Sequence, residues 1–160
     1  MGLNSKLYSQ PCKIAYLGGS VTVQKNGYRP LLHHLICQIT QQDHHAINAG
    51  IGGVGSIAHA FLLNDFVIKH QPDLCFIECA IVDGEGMTPR GQIQPSIESI
   101  CLQLLQQQIP ACFLQLFKSK HAIYYEEILA HEYRPIIHRY QVPEINLHRF
   151  FAKQIQECAL

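Results

Sequence analysis

The sequence contains no tryptophan and carries no net charge, because 12 lysine and arginine residues balance 12 aspartate and glutamate residues. It also lacks a basic stripe, and we expect no nucleic-acid partner because such binding depends on neutralising phosphates. No apolar run approaches membrane-spanning length, and residues 1–11 contain no signal-peptide core, so we expect no membrane partner. What is present is typical of one globular domain: of 160 residues, 48% are hydrophobic and 15% are charged.

The seven cysteines include no Cys-x-x-Cys pair. Their number is odd and most of them lie in apolar runs, which favours buried, reduced thiols over a disulfide framework. We therefore expect a cytoplasmic protein with no metal site and no cofactor. The oligomeric state is left open.

Short apolar runs alternate along the chain with segments of helical period. The runs predict five strands, at residues 13–17, 44–48, 74–77, 111–116 and 142–147. Helices are predicted at residues 28–41, 56–69, 93–105, 122–140 and 148–158, with Ser56 capping the second and Pro135 kinking or splitting the fourth. The first helix is expected to bury one apolar face, formed by Leu31, Leu32, Leu35, Ile36 and Ile39.

This alternation predicts an α/β fold with a single domain over residues 1–160. Parallel strands with right-handed crossovers favour a three-layer α/β/α sandwich, with a flavodoxin-like five-stranded parallel sheet in the order 2-1-3-4-5. The loops after strands one, two and three then converge at the carboxyl edge of the sheet, where such folds bind ligands. Those loops are Gly18-Gly19-Ser20, residues 50–56 and residues 80–83.

Ser20 is the candidate nucleophile in the first of these loops. Gly18 and Gly19 directly follow strand one and allow the backbone to turn sharply, because glycine tolerates positive φ. A hydroxyl on such a turn lies where open α/β sheets place their ligands. The alternative is a turn serine or a helix cap.

The second loop also fits a G-x-G-x-x-G pattern, formed by Gly50, Gly52 and Gly55. It follows a strand and begins a helix, and Glu78 ends the next strand at the spacing of a ribose-binding acid. A dinucleotide-binding domain is therefore an alternative function. Against it, this fingerprint normally follows the first strand of its fold, and the chain has no room for a second domain that would bind the substrate.

Together the three loops resemble the SGNH/GDSL hydrolases, a family of esterases and acyl-group hydrolases with a flavodoxin-like fold. Residues 17–22 are similar to the first block of that family, residues 48–56 to the second, and residues 72–83 to the stretch that holds the third. The resemblance runs from about residue 13 to about residue 147. It implies hydrolysis or transfer of an ester-linked acyl group, with a small-molecule or glycan ester as substrate.

The resemblance also implies roles for individual residues. Ser20 matches the nucleophile, and its own N–H is one oxyanion donor, while the N–H of Gly53 matches the second. Such donors stabilise the charge that the tetrahedral intermediate of acyl transfer concentrates on one oxygen. The substrate site is expected to include Gly19, Gly52, Val82 and Asp83. Glu78 is expected to support the site loops, and Asp83 to hold the third loop by accepting backbone N–H bonds.

Two features depart from the family pattern. The third block has an Asn-Asp pair whose asparagine is an oxyanion donor, and here Val82-Asp83 cannot donate from the first position. The Asp-x-x-His block beyond strand five is absent, so we expect a domain that lacks the usual C-terminal catalytic segment. The chain is then a shortened hydrolase, a member that binds without turnover, or an enzyme in which His148, or next His121, supplies the base.

Overall fold

The computed structural model describes residues 3–118 and 122–158. Within them, five strands form one parallel sheet in the order β2-β1-β3-β4-β5. The α/β fold and the predicted strand order are thus confirmed, and strand ends differ from the prediction by no more than two residues. The strands are Lys13–Gly18 (β1), His45–Gly50 (β2), Leu74–Glu78 (β3), Ala111–Gln115 (β4) and Glu144–Asn146 (β5).

Helices occupy the connections between the strands. They are Leu3–Ser9 (α1), Ser20–Val23 (α2), Tyr28–Thr40 (α3), Ser56–Phe66 (α4), Ala80–Asp83 (α5), Arg90–Gln106 (α6), Ala122–Ile128 (α7), Arg134–Arg139 (α8) and Leu147–Cys158 (α9). A 3₁₀ turn, Ile68–His70, follows α4, and a π-helical turn, Leu129–Tyr133, joins α7 to α8. The predicted split of the helix over residues 122–140 is present, because the π-helical turn separates α7 from α8, and Pro135 lies in the first turn of α8. No helix in the described ranges is long and apolar enough to cross a bilayer.

The sheet is covered on both faces, as expected for parallel strands. In β1, Ala15 and Leu17 face the larger core, to which α4 and α6 contribute, while Ile14 and Tyr16 face a second core. Helices α1 and α3 pack against that second core. Side chains of one strand alternate between the two faces, and both faces are buried along β1, β3 and β4, so these strands are largely continuous apolar runs.

The expected apolar face of α3 is only partly correct. Leu32 and Ile36 pack against the sheet, whereas three other apolar side chains of the helix are 50–69% exposed: Leu31, Leu35 and Ile39. Adjacent helical residues point about 100° apart, so Leu31 and Leu32 cannot both face the sheet directly. The sheet therefore packs against the stripe of Leu32 and Ile36, and the other three side chains face solvent.

Strand β1 lies in the middle of the edge that carries the candidate site. Its last residue, Gly18, pairs with Gly50 at the end of β2 and with Glu78 at the end of β3. The loop that carries Ser20 is therefore flanked on one side by the second loop and on the other by the third. This register explains why three segments far apart in sequence meet.

Candidate active site

Ser20 is exposed at the start of the short helix α2. Gly19 is the N-cap of this helix, and its carbonyl oxygen accepts the N–H of Thr22 at 3.1 Å. The Thr22 hydroxyl lies 2.9 Å from the Tyr28 hydroxyl, which joins α2 to the start of α3. Ser20 is thus the first residue of the helix and not its cap, and its side chain is open to solvent.

Gly18 lets the first loop approach the end of β3 more closely than any other residue would allow. A Cβ added at Gly18 would lie 2.2 Å from the carbonyl oxygen of Glu78 and 2.3 Å from the Thr22 hydroxyl oxygen. Because one of these neighbours is backbone, a side chain here would displace the loop. The glycine before the Gly19-Ser20 turn is therefore required by packing.

The second loop is tied directly to the first. The N–H of Ile51 donates to the carbonyl oxygen of Gly18 at 2.9 Å. Beyond it, Gly52 and Gly53 are both exposed. Gly53 has a φ of 75°, a left-handed conformation that favours glycine. The residue matched to the second oxyanion donor thus lies on a solvent-facing turn of a loop anchored to the Ser20 loop.

The third loop meets the first through Val82. This side chain is 2% exposed, and a Cβ added at Gly19 would lie 2.4 Å from its Cγ1. The position that matches the family's asparagine therefore packs directly against the residue before Ser20. What it presents there is a methyl group, which cannot donate a hydrogen bond.

Asp83 is fully buried behind the loops. Its Oδ1 accepts the N–H of Ser56 at 2.8 Å, and its Oδ2 accepts the Tyr133 hydroxyl at 2.6 Å. The predicted backbone bond exists, but its donor belongs to α4 and not to the third loop. Both carboxylate oxygens of Asp83 are thus bonded to donors of the protein that hold the loops, and its place in the substrate site stays a prediction. The predicted cap is wrong, since Gly55 is the N-cap of α4 and the Ser56 N–H is satisfied by Asp83.

Burial and the Asp83 carboxylate together raise the pKa of Tyr133 well above its ordinary value. Tyr133 therefore keeps its proton and remains a hydrogen-bond donor. A buried carboxylate with two donors is strongly held, because bonds to charged acceptors are stronger than neutral ones. This carboxylate fixes the third loop relative to α4 and to the π-helical turn.

Glu78 supports the third loop, as expected. It is fully buried, its Oε1 accepts the N–H of Ile81 at 3.2 Å, and burial raises its pKa to about 8. A ribose-binding acid has to be accessible, so the dinucleotide interpretation loses its acid. The loop with Gly50, Gly52 and Gly55 also follows an edge strand, whereas the fingerprint lies at the switch point of the sheet.

His148 lies at the start of α9, buried against α7. Its Nδ1 accepts the N–H of Lys118 at 3.4 Å, its Nε2 lies 3.7 Å from a Glu126 carboxylate oxygen, and its ring meets the edge of Tyr125. Burial lowers its pKa, with Glu126 opposing the shift, so the ring is held in the neutral form that a base requires. None of these contacts reaches the loop that carries Ser20.

The sequence analysis missed His59, which lies fully buried in α4. Its ring nitrogens are each 2.8 Å from a backbone carbonyl oxygen, one of Gly18 and one of Gly55. The available signal was a histidine within the apolar run of residues 57–61, where a buried polar ring needs partners. The other candidate base, His121, lies outside the described residues.

No family model matches the sequence, and no curated protein matches it. Solved structures do match. An SGNH-hydrolase family esterase, AlinE4, superposes with a TM-score of 0.72 at 19% identity, covering 88% of this chain and 78% of that one. The psychrotrophic esterase EstA from Pseudoalteromonas sp. gives a TM-score of 0.68 at 16% identity, covering 84% and 76%. A two-domain esterase active on acetylated mannans gives 0.71 at 18%, covering 91% of this chain and 40% of that one.

These similarities establish the fold. The described sheet and its flanking helices have the α/β/α arrangement of SGNH hydrolases. At identities of 16–19%, the match concerns architecture and leaves the chemistry to be argued from the residues.

Proposed function

We propose that this chain is an SGNH-type serine esterase domain that hydrolyses an acyl ester of a small molecule or a carbohydrate. The observation that carries the proposal is the exposed Ser20 at the start of α2, just after β1, which lies between β2 and β3 in the sheet. The second loop is hydrogen-bonded to this segment and the third packs against it. The matches to esterase structures support the same class.

In the proposed reaction the Ser20 Oγ attacks the acyl carbon and loses its proton to a base. The carbonyl oxygen becomes an oxyanion, which the N–H groups of Ser20 and Gly53 stabilise. The C–O bond to the alcohol then breaks, the alcohol leaves with a proton, and water hydrolyses the acyl-serine. His148 is our candidate for the base, because its lowered pKa keeps the ring neutral.

Acylated carbohydrate is the substrate class that we favour. One of the structural relatives is described as active on acetylated mannans, and this chain superposes on 40% of its length. Ser20, Gly52 and Gly53 are exposed at the candidate site, which leaves its entrance open to a large alcohol such as a glycan. We also propose a cytoplasmic location, which the six free cysteines of the described residues support.

A second candidate function is an SGNH-like domain that binds esters without hydrolysing them. Val82 favours it, because the position that matches an oxyanion donor carries a methyl group packed on Gly19. Losing one such donor typically costs about 10²–10³ in rate. The contacts of His148 with Lys118 and Glu126 favour it as well, since they direct the ring towards α7.

A fluorophosphonate probe separates the two functions. We expect it to phosphonylate Ser20, located by mass spectrometry of the digested protein, and we expect no adduct in Ser20→Ala. Ser9→Ala is the matched control, because Ser9 is also exposed but lies at the end of α1, before β1 begins. Absence of an adduct, with an unchanged circular dichroism spectrum, would refute the esterase and favour the binding domain.

A further inference from the structure

His59 occupies the point where the first two loops are joined. The ring lies 2.8 Å from the Gly18 carbonyl oxygen through Nε2 and 2.8 Å from the Gly55 carbonyl oxygen through Nδ1. The side chain is fully buried. A buried imidazole is costly unless both nitrogens are satisfied, so these two contacts account for its presence in an otherwise apolar helix segment.

Both partners of the ring are acceptors only. A carbonyl oxygen has no proton to give, so both contacts are hydrogen bonds only when each ring nitrogen donates, which a histidine does only as the imidazolium. The Asp83 carboxylate lies beside Gly55, because its Oδ1 is 2.7 Å from the position of a Cβ added there.

The two acceptors bracket the proposed oxyanion hole. Gly18 is two residues before Ser20, and Gly55 is two residues after Gly53. The Gly18 oxygen also accepts the N–H of Ile51, so two donors from the second segment hold one peptide of the first. Fixing the peptides of Gly18 and Gly55 restricts the N–H groups of Ser20 and Gly53, each of which is two residues away along the chain.

We propose that His59 is a positioning residue, which donates from both ring nitrogens to lock the Gly18 and Gly55 peptides and so sets the spacing of the two oxyanion-hole N–H groups. The catalytic part of this inference rests on the proposed esterase function. The joining of the two loops does not. The experiment therefore reads the joining and the catalysis separately.

The first measurement is nitrogen-15 NMR of the wild-type protein. A clamp that donates twice gives two ring N–H resonances for His59, assigned by their loss in His59→Gln. A neutral ring gives one ring N–H at most, and that result would overturn the proposal. This measurement requires no substrate, and it does not depend on whether His59→Leu folds.

The second measurement is hydrogen exchange at the Ile51 amide, which shares the Gly18 oxygen with His59. We expect His59→Leu, which cannot donate, to raise the Ile51 exchange rate about tenfold or more, while amides in β4 keep their protection. His59→Gln retains a donor and is expected to lie between Leu and wild type. The control is His44→Gln, because His44 is also buried and bonded through both nitrogens, but lies before β2 at the opposite edge. An equal rise of the Ile51 exchange rate in His59→Leu and in His44→Gln would overturn the proposal.

The third measurement is esterase kinetics. An oxyanion hole acts on the transition state, so we expect His59→Leu to lower kcat by about 10- to 100-fold with little change in KM, and His59→Gln to restore part of it. A rise in KM with unchanged kcat would refute the positioning role. If the wild-type protein has no esterase activity, the proposed function fails, and the two NMR measurements still decide whether His59 joins the loops.

Discussion

Replacing Tyr133 with phenylalanine removes one hydroxyl and nothing else from the support of the candidate site. That hydroxyl donates to Asp83 at 2.6 Å, and both residues are at most 1% exposed. A hydrogen bond to a charged group contributes about 1.5–3 kcal/mol, so we expect Tyr133→Phe to lower the free energy of unfolding by that amount. For a chain of this length the corresponding fall in Tm is about 3–12 °C.

The chain offers a matched control for this change. Tyr125 is as buried as Tyr133, but its hydroxyl has no hydrogen-bond partner among the residues that the structure describes. Tyr125→Phe makes the same chemical change without breaking a bond, and it relieves a buried unpaired hydroxyl. We expect it to change the free energy of unfolding by less than about 0.5 kcal/mol, or to stabilise the protein.

A double-mutant cycle isolates the contact itself. Asp83→Asn leaves one of the two donors, Tyr133 or the Ser56 N–H, facing an amide N–H₂ group, so we expect a loss of about 2–4 kcal/mol. Because Tyr133 and Asp83 touch, combining the two changes should show a coupling energy of about 1.5–3 kcal/mol in urea unfolding. Equal losses in Tyr133→Phe and Tyr125→Phe, or a coupling energy below about 0.5 kcal/mol, would refute the reasoning.

Two further predictions concern the third loop. Val82→Asn puts an amide donor where Val82 packs against Gly19, and we expect it to raise kcat by up to about 10²-fold. Val82→Leu, which has the shape of asparagine without a donor, is the control, and an unchanged rate in Val82→Asn would show that position 82 does not contact the oxyanion. Glu78 has a pKa of about 8 in the fold against an ordinary value of 4.5, so its contribution is fully present below pH 4.5 and is lost as the pH rises towards 8. The free energy of unfolding should then fall by about 1.4 kcal/mol per pH unit within that window, and the fall should disappear in Glu78→Gln. A pH dependence that is the same in Glu78→Gln would contradict the assignment.

The strands and their order could be predicted because the sheet is buried on both faces. Runs such as residues 14–17 and 74–77 are apolar throughout, and that pattern, with helical segments between, leaves few topologies. The short helices Ser20–Val23 and Ala80–Asp83 could not be predicted, since four residues are too few to show a period. The resemblance to a known family located Ser20 and its neighbours in the loops, and periodicity alone did not.

The contacts behind the site were beyond the sequence because they join residues far apart along the chain. Asp83 satisfies the N–H of Ser56, 27 positions earlier, and accepts from Tyr133, 50 positions later. Local capping rules predicted Ser56 as the N-cap of α4, because they consider only residues that are close in sequence. His59 was missed for the same reason, because one of its acceptors is 41 positions away.

Val82 bears on the chemistry of the site and not on the contacts that hold its three loops together. The third loop lacks the asparagine donor, but the Val82 side chain leaves no gap in its place. A Cβ added at Gly19 would lie only 2.4 Å from Val82 Cγ1. The bond from the Ser56 N–H to Asp83 and the contact of the His59 ring with the Gly18 carbonyl oxygen do not involve position 82. A scaffold that holds three loops together is needed equally for binding and for hydrolysis, so it does not discriminate between them. In our proposal the discrimination depends on the side chain at position 82 and on whether a base reaches Ser20.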